Sequence, residues 1–300
     1  MTRDLARLRR EVSRSFDLSM VMLPVEMREP VSIAYLLARA SDTLADAALV
    51  PVSDRLGALT AFDAELRGGG AAWRREGLAD FINKLEHAGE ARLLGRMDDC
   101  ISSLQRTEPE VRQAILEVLD VILSGQRLDL ERMAVEDVVV LTADELEDYC
   151  FRVAGCVGRF WTKVGFLTLG TRFSEEPPEL LEKLGVNFGK GLQLVNILRD
   201  VPNDLKNGRC YLPVRNWGDR EELVLAAAEW RDRATAWLRD GERYAEALVL
   251  RRLRAASVLP ALLGEETIAL LDRSDWMAWE RGVKIGRPRV RRCLLRSLLW

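Results

Sequence analysis

Tyr35-Leu-Leu-Ala-Arg39-Ala-Ser-Asp42-Thr-Leu-Ala-Asp46 reads as one helix, and the rest of the chain is understood from it outward. Begun at Ser32, its polar positions are Ser32, Tyr35, Arg39, Asp42 and Asp46, at steps of 3, 4, 3 and 4. Those steps place all five on one helix face. Ile33, Ala34, Leu36, Leu37, Ala38 and Ala40 cover the remaining circumference. A surface helix normally carries a broad polar face, whereas one that is apolar nearly all round is buried. The helix is therefore expected inside the protein. Its stripe then needs partners, because an unpaired buried charge is very costly.

A second stretch repeats the pattern. Gln193-Leu-Val-Asn196-Ile-Leu-Arg199-Asp200-Val-Pro-Asn-Asp204 places Gln193, Asn196, Asp200 and Asp204 at steps of 3, 4 and 4, among Leu192, Leu194, Val195, Ile197 and Leu198. Pro202 removes one backbone donor and is expected to bend or end this helix near Asp204. A single D-x-x-x-D on a helix is usually a solvated face. Two such pairs, each on a mostly apolar helix with matching upstream polar groups, favour a binding site. Two i,i+4 aspartate pairs on separate helices can face each other across a cavity. Their carboxylates are hard oxygen ligands suited to Mg²⁺, which shares its shell with substrate phosphates. Such ions grip a diphosphate and neutralise it as it leaves. Arg39, Arg199 and Arg209 are placed to take phosphate oxygens. An apolar cavity around them would hold a hydrocarbon chain, and ionising a diphosphate there is carbocation chemistry.

Helical periodicity continues along the 300 residues. Helices are expected near 3–12, 28–46, 53–66, 75–87, 90–104, 108–125, 144–168, 177–203, 220–247, 250–262, 264–273 and 287–298, with 139–141 the one strand-like run. No linker, composition shift or internal repeat divides the chain, so one all-α domain, 1–300, is expected. Lys+Arg is 44 against 47 Asp+Glu, a net charge of −3, with no basic run, which argues against a nucleic-acid partner. Cys100, Cys150, Cys156, Cys210 and Cys293 lack C-x-x-C spacing and read as reduced, buried thiols. His87, the only histidine, reads as the exposed end of a helix rather than a general base. The charged N-terminus does not read as a secretory signal, and no run approaches the ~18–20 apolar residues of a membrane span. The apolar segment 293–300 is read as closing the core in preference to touching a membrane.

Five segments then resemble the squalene/phytoene synthase family, the head-to-head isoprenyl diphosphate synthases, over about Ser13 to Arg292. Ser13-Arg14-Ser15-Phe16 is similar to the family's opening segment, and Asp42 to Asp46 to its first aspartate-rich motif. Asp148-Tyr149-Cys150-Phe-Arg-Val-Ala154-Gly155-Cys-Val-Gly158 resembles its Y-C-x-x-V-A-G-x-V-G segment. Gln193 to Asp204 resembles the second aspartate-rich motif, and Gly208-Arg209-Cys210-Tyr211-Leu212-Pro213 the G-R-x-Y-L-P that follows it. One departure is Ala45, where many squalene synthases carry Glu in D-x-x-E-D. It bears on metal affinity or number, since both outer aspartates remain.

The resemblance implies a single-domain isoprenoid synthase fold around a central cavity. It implies Mg²⁺ on Asp42, Asp46, Asn196, Asp200 and Asp204, with Gln193 and Asn196 positioning metal and diphosphate. Ser13, Arg14, Phe16, Tyr35, Arg39, Arg199, Arg209 and Tyr211 would contact substrate. Tyr149 would lie between two prenyl chains and assist proton removal or cation stabilisation as a cyclopropane closes. Read without the resemblance, a lone Tyr there is usually a core residue hydrogen-bonded at its tip, and Gly155 and Gly158 serve close helix packing.

Among family activities, the reading favours a squalene synthase: two farnesyl diphosphates condense to presqualene diphosphate, then NADPH-dependent reductive rearrangement gives squalene. Presqualene diphosphate or hydroxysqualene synthase, and phytoene or dehydrosqualene synthase, stay open. No G-x-G-x-x-G is present, so NADPH would bind without a Rossmann site. A terpene cyclase would not need the Tyr149 segment, and a catalytically dead assembly factor would not need both aspartate pairs. The protein is expected in the cytoplasm, with peripheral inner-membrane contact for product delivery left open and no obligate protein partner.

Overall fold

A computed structural model of the protein describes residues 3–13, 16–69, 77–135 and 138–300. The chain packs as two units, Met1–Val21 with Val25–Val135, and Met22–Pro24 with Glu136–Trp300. In chain order the first part forms α1 (Arg3–Ser13), α2 (Phe16–Met22), α3 (Val25–Asp46), α4 (Val52–Leu66), α5 (Leu78–Asn83), α6 (Ala88–Gly95), α7 (Met97–Gln105) and α8 (Pro109–Met133). In the first unit, α3 packs against α4, α7 and α8 through Leu36, Leu37, Ala40 and Leu44, all fully buried. Leu59 and Phe62 of α4 and Ile115, Leu119 and Leu123 of α8 are buried in the same unit.

The second part forms β1 (Val139–Val140), α9 (Ala143–Cys150), a π-helical turn (Phe151–Gly155), α10 (Cys156–Leu169), α11 (Pro178–Lys206), β2 (Arg209–Cys210), α12 (Arg220–Glu246), α13 (Arg251–Leu271), α14 (Trp276–Glu280) and α15 (Arg287–Ser297). In this unit α11 is the central element, packed against α10, α12 and α13. The strand-like run at 139–141 does pair: β1 and β2 form a two-stranded parallel ladder, the only sheet among the described residues.

The helical reading of the sequence is met along most of the chain, with four corrections. The expected helix 90–104 breaks at Arg96 into α6 and α7; of the expected helix 75–87, residues 75–76 lie outside the described residues and α5 ends at Asn83, with His87 at the N-cap of α6. The expected helices 250–262 and 264–273 are one, α13, running through Pro260 and Gly264. Gly264 is not a terminator: a Cβ there would sit 3.0 Å from Leu238 Cδ1, so glycine permits close packing. Helix α11 likewise continues through Pro202 to Lys206, so the break expected near Asp204 does not occur. Proline removes one donor, and the buried packing of Val201 and Pro202 outweighs that loss. Helices α2 and α14 were not anticipated; α14 is a single turn capped by Asp275.

All five cysteines are free and buried. Desolvation pushes the thiols of Cys100, Cys150 and Cys156 up to about 12. No described helix is long and apolar enough to cross a membrane.

Candidate functional site

The first polar stripe changes character along α3. Its upper end is tied inward: Ser32 is fully buried and accepts a hydrogen bond from Arg9 Nη1 at 3.0 Å. Arg9 is itself buried and paired with Asp17 at 2.8 Å. The Tyr35 hydroxyl donates to the Val12 carbonyl at 3.1 Å. From Arg39 onward the stripe faces a cavity of about 270 Å³, lined also by Asp42, Asp46, Lys84, His87 and Glu90. The expectation of a wholly buried stripe is corrected here, because Asp42 is half-exposed and Asp46 exposed.

Arg39 Nη2 lies 2.5 Å from Glu90 Oε1, while its Nη1 is 3.9 Å from Asp42. Gln126 of α8 donates to Asp42 Oδ1 at 2.7 Å. The Asp42 carboxyl is nevertheless pushed up to about 6, first by desolvation and next by the neighbouring Asp46 charge. Arg39 and Gln126 act in the opposite sense without cancelling these. Gln126, Glu90, Lys84 and His87 were not named as site residues from the sequence. For Gln126 a signal existed: it is a lone amide on the buried face of α8 between Leu123 and Leu130. The others sit around the start of α6, which the sequence placed at 90, two residues late, without any sign that it borders a cavity. The expected exposure of His87 is met.

Of the opening segment, Ser13 is buried, and its hydroxyl lacks a hydrogen-bond partner among the described residues. Arg14 lies outside the described residues; Phe16 begins α2, and its side chain is likewise outside them.

The second unit builds its part around α11. Asp200 is gripped by Arg199, Nε to Oδ1 at 2.8 Å and Nη2 to Oδ2 at 2.5 Å. The Arg199 carbonyl accepts from Trp279 Nε1 at 3.0 Å. Gln193 and Asp204 are half-buried and Asn196 is exposed. Beyond α11, Gly208 turns the chain at φ +74° and the ladder begins. Val139 N donates to Gly208 O at 3.0 Å, and Leu141 N to Cys210 O at 3.2 Å. This ladder ties the half-buried Arg209 and the following Tyr211 to the chain entering α9. A capping box, Thr142 with Glu145, fixes where α9 starts.

The consequence is a ring pair. Tyr149 near the end of α9 stacks on Tyr211 at 4.8 Å with planes 24° apart, and the two hydroxyls are 3.3 Å apart. Tyr211 is buried and Tyr149 half-buried. The π-helical turn begins two residues after Tyr149, at Phe151, a device frequent at functional sites. The adjoining glycines pack closely, as their plain reading held. A Cβ on Gly158 would come within 1.9 Å of the Gly185 carbonyl oxygen. Beside them lies a charge network, anchored on the buried Lys190 and reaching the surface at Arg233, that the sequence did not reveal. Lys190 Nζ pairs with Glu147 and sits 4.3 Å from the Trp237 ring centre, and Arg233 pairs with the other Glu147 oxygen at 2.5 Å.

Among the described residues, no three acidic, histidine or cysteine side chains converge as a closed metal cage. The donors present still fit Mg²⁺, which is held through one or two carboxylates while waters and substrate phosphates complete its shell. Desolvation first, and the neighbouring Asp46 charge second, make Asp42 reluctant to ionise, and a divalent cation would offset the repulsion.

Residues 9–292 match the family described as squalene/phytoene synthase. A presqualene diphosphate synthase of Zymomonas mobilis is 29% identical over 297 residues, covering 96% of this chain and 87% of that protein. A 15-cis-phytoene synthase of Synechocystis is 33% identical over 143 residues, covering 42% of this chain and 41% of that protein. A squalene synthase of Eremothecium gossypii is 28% identical over 238 residues, 77% of this chain and 50% of that one. The chain thus spans about half or less of the last two. Among solved structures, TcSQS in complex with the ligand E5700 superposes with TM-score 0.81 at 23% identity, covering 99% of this chain and 85% of that one. Squalene synthase HpnC from Alicyclobacillus acidocaldarius gives 0.61 at 22% identity, covering 90% and 92%. These likenesses establish the isoprenoid synthase fold.

Proposed function

The chain belongs to the squalene/phytoene synthase family, and on that premise we propose that it condenses two farnesyl diphosphates head to head into presqualene diphosphate. The observation that carries this reading is one unbroken family match running through both aspartate pairs and the Tyr149 segment. We take both packing units as parts of one catalytic domain for the same reason.

Family chemistry is the transfer of a prenyl group between isoprenyl diphosphates. In this proposal Asp42, Asp46, Asn196, Asp200 and Asp204 hold Mg²⁺. When bound, the metal neutralises the diphosphate as its carbon–oxygen bond breaks. Arg14, Arg39, Arg199 and Arg209 bind the phosphate oxygens, a task suited to guanidinium forks. Tyr35 and Ser13 line the same subsite, and Gln193 orients the diphosphate. The allylic cation then attacks the double bond of the second substrate, and loss of one proton closes the cyclopropane. The stacked Tyr149–Tyr211 pair offers ring faces to that cation, and the Tyr149 hydroxyl moves the proton. Phe16 completes the substrate contacts.

A second reading carries the product onward, with hydride from NADPH giving squalene. Several relatives named squalene synthase favour it, whereas the Zymomonas relative is named for the first step. The test is incubation with farnesyl diphosphate and Mg²⁺, with and without NADPH, read by mass spectrometry. Presqualene diphosphate in both tubes supports the first reading. Squalene only with NADPH supports the second. No C30 product in either tube, with phytoene formed from the C20 substrate, overturns both.

A further inference from the structure

Helix α15 and the turn after it present two different faces. The inner face closes a small core: Cys293 is fully buried with Ala245, Val258, Leu259 and Leu262, and Leu294 and Trp300 pack against them. The outer face is apolar at its end and fully open, with Leu295, Leu298 and Leu299 exposed by 66%, 53% and 81%. The stretch 281–300 also contains seven Lys or Arg and no Asp or Glu, on a chain whose net charge is −3. Its fold absorbs little of that charge. Arg289 pairs with Glu266 at 3.1 Å, and Arg296 lies in the field of Glu265. Arg291 and Arg292, one turn before Leu295, are exposed.

We propose that this face docks on the surface of an anionic lipid bilayer. Exposed leucines adjoining arginines are the pattern of an interfacial helix: the apolar side chains enter the headgroup boundary while the guanidinium groups take lipid phosphates. No described helix could span the bilayer, so the contact is a surface one. Charge argues against a second copy as the occupant, because a two-fold contact would bring the same basic patch against itself. Nucleic acid would engage the arginines but gives no use for three exposed leucines. The inference is independent of which product the enzyme makes.

The experiment is co-sedimentation of the full chain with vesicles of pure phosphatidylcholine or with roughly one-third phosphatidylglycerol, at about 0.1 M and 0.5 M NaCl. Two variants accompany it: Leu295→Ser with Leu298→Ser and Leu299→Ser, and Arg291→Glu with Arg292→Glu. All five positions are exposed, and thermal melting matched to wild type confirms each fold. The expected result is binding to the anionic vesicles alone, weakened by salt and lowered roughly tenfold or more by each variant. No binding by the wild type overturns the proposal, as does binding unchanged in both folded variants. A dimer in sedimentation that the leucine variant dissociates would assign the face to a second copy and also overturn it. Should one variant fail to fold, the other decides, since each removes a different half of the contact.

Discussion

The two aspartate-bearing helices carry the same spacing of acids but opposite electrostatic settings. In α3, Asp42 has a neutral amide donor from Gln126, Asp46 as a like-charged neighbour, and an Arg39 drawn toward Glu90. In α11, Asp200 is held by two charge-assisted bonds from Arg199. One carboxylate is desolvated and lies beside a like charge, so its proton affinity rises; the other is held by its arginine. The difference teaches that sequence spacing places ligands, while the neighbouring elements decide how strongly each calls for a cation.

The largest effects should come from neutralising each acid. Asp42→Asn and Asp200→Asn are each expected to lower product formation by roughly a thousandfold or more, as removal of groups acting on transition-state charge does. Their stabilities should diverge. Asp42 binds its proton more tightly when folded than an ordinary aspartate, whose pKa is 3.8, so its stabilising contribution is full below about pH 4 and lost as pH rises through about 6. Metal-free Asp42→Asn should therefore melt at or above wild type at pH 8, and the gap should close at pH 5. Asp200→Asn removes both charge-assisted bonds to Arg199, leaving only the more distant Asp204 charge, and should melt lower at both pH values. Equal losses in the two variants at pH 8 would erase the contrast.

Next in size is the ring pair. Tyr149→Phe keeps the stack on Tyr211 but removes a hydroxyl, so kcat should fall roughly a hundredfold with the melting temperature little changed. An unchanged kcat would return Tyr149 to a packing role.

The glycines sharpen the comparison of packing in the two units. Gly158→Ala would drive a Cβ into the Gly185 carbonyl and should cost about 3 kcal/mol or more. Gly57→Ala in α4 meets nothing within 4 Å and should stabilise by about 0.5–1 kcal/mol. Denaturant melts read both. Similar changes in the two would mean that α10 and α11 are not in close contact.

The smallest effect concerns the cysteines. Thiols raised to about 12 hold almost no thiolate at pH 8, so Cys100, Cys150 and Cys156 should resist alkylation until the chain unfolds. Mass spectrometry after native labelling checks this, and rapid native labelling of Cys150 would contradict it.

Much of the helical fold was legible because periodicity is a local property. The stripes on α3 and α11 stand out against apolar neighbours, and even Val139–Val140 read as strand-like. What failed was local too. Pro202, Pro260 and Gly264 are breakers by propensity, yet each lies within a helix whose tertiary packing outweighs it. The anticipated ligands were readable as residue types at fixed spacing. Gln126 could be noticed only as a lone amide on an apolar face, and its partner Asp42 lies 84 positions away; Glu90 reaches the cavity from a helix far along the chain. Lys190 was not readable either, because its partners Glu147 and Trp237 lie 43 and 47 positions away. The stacking of Tyr149 on Tyr211 depends on a two-residue parallel ladder that no local signal connects.

The measurement that bears most directly on the central claim is diphosphate release from farnesyl diphosphate across a Mg²⁺ titration, for wild type, Asp42→Asn and Asp200→Asn. The account predicts release by the wild type that rises with Mg²⁺, vanishes with chelator, and is lost in both variants. Release that persists in chelator, or that either variant sustains at the wild-type rate, would contradict it.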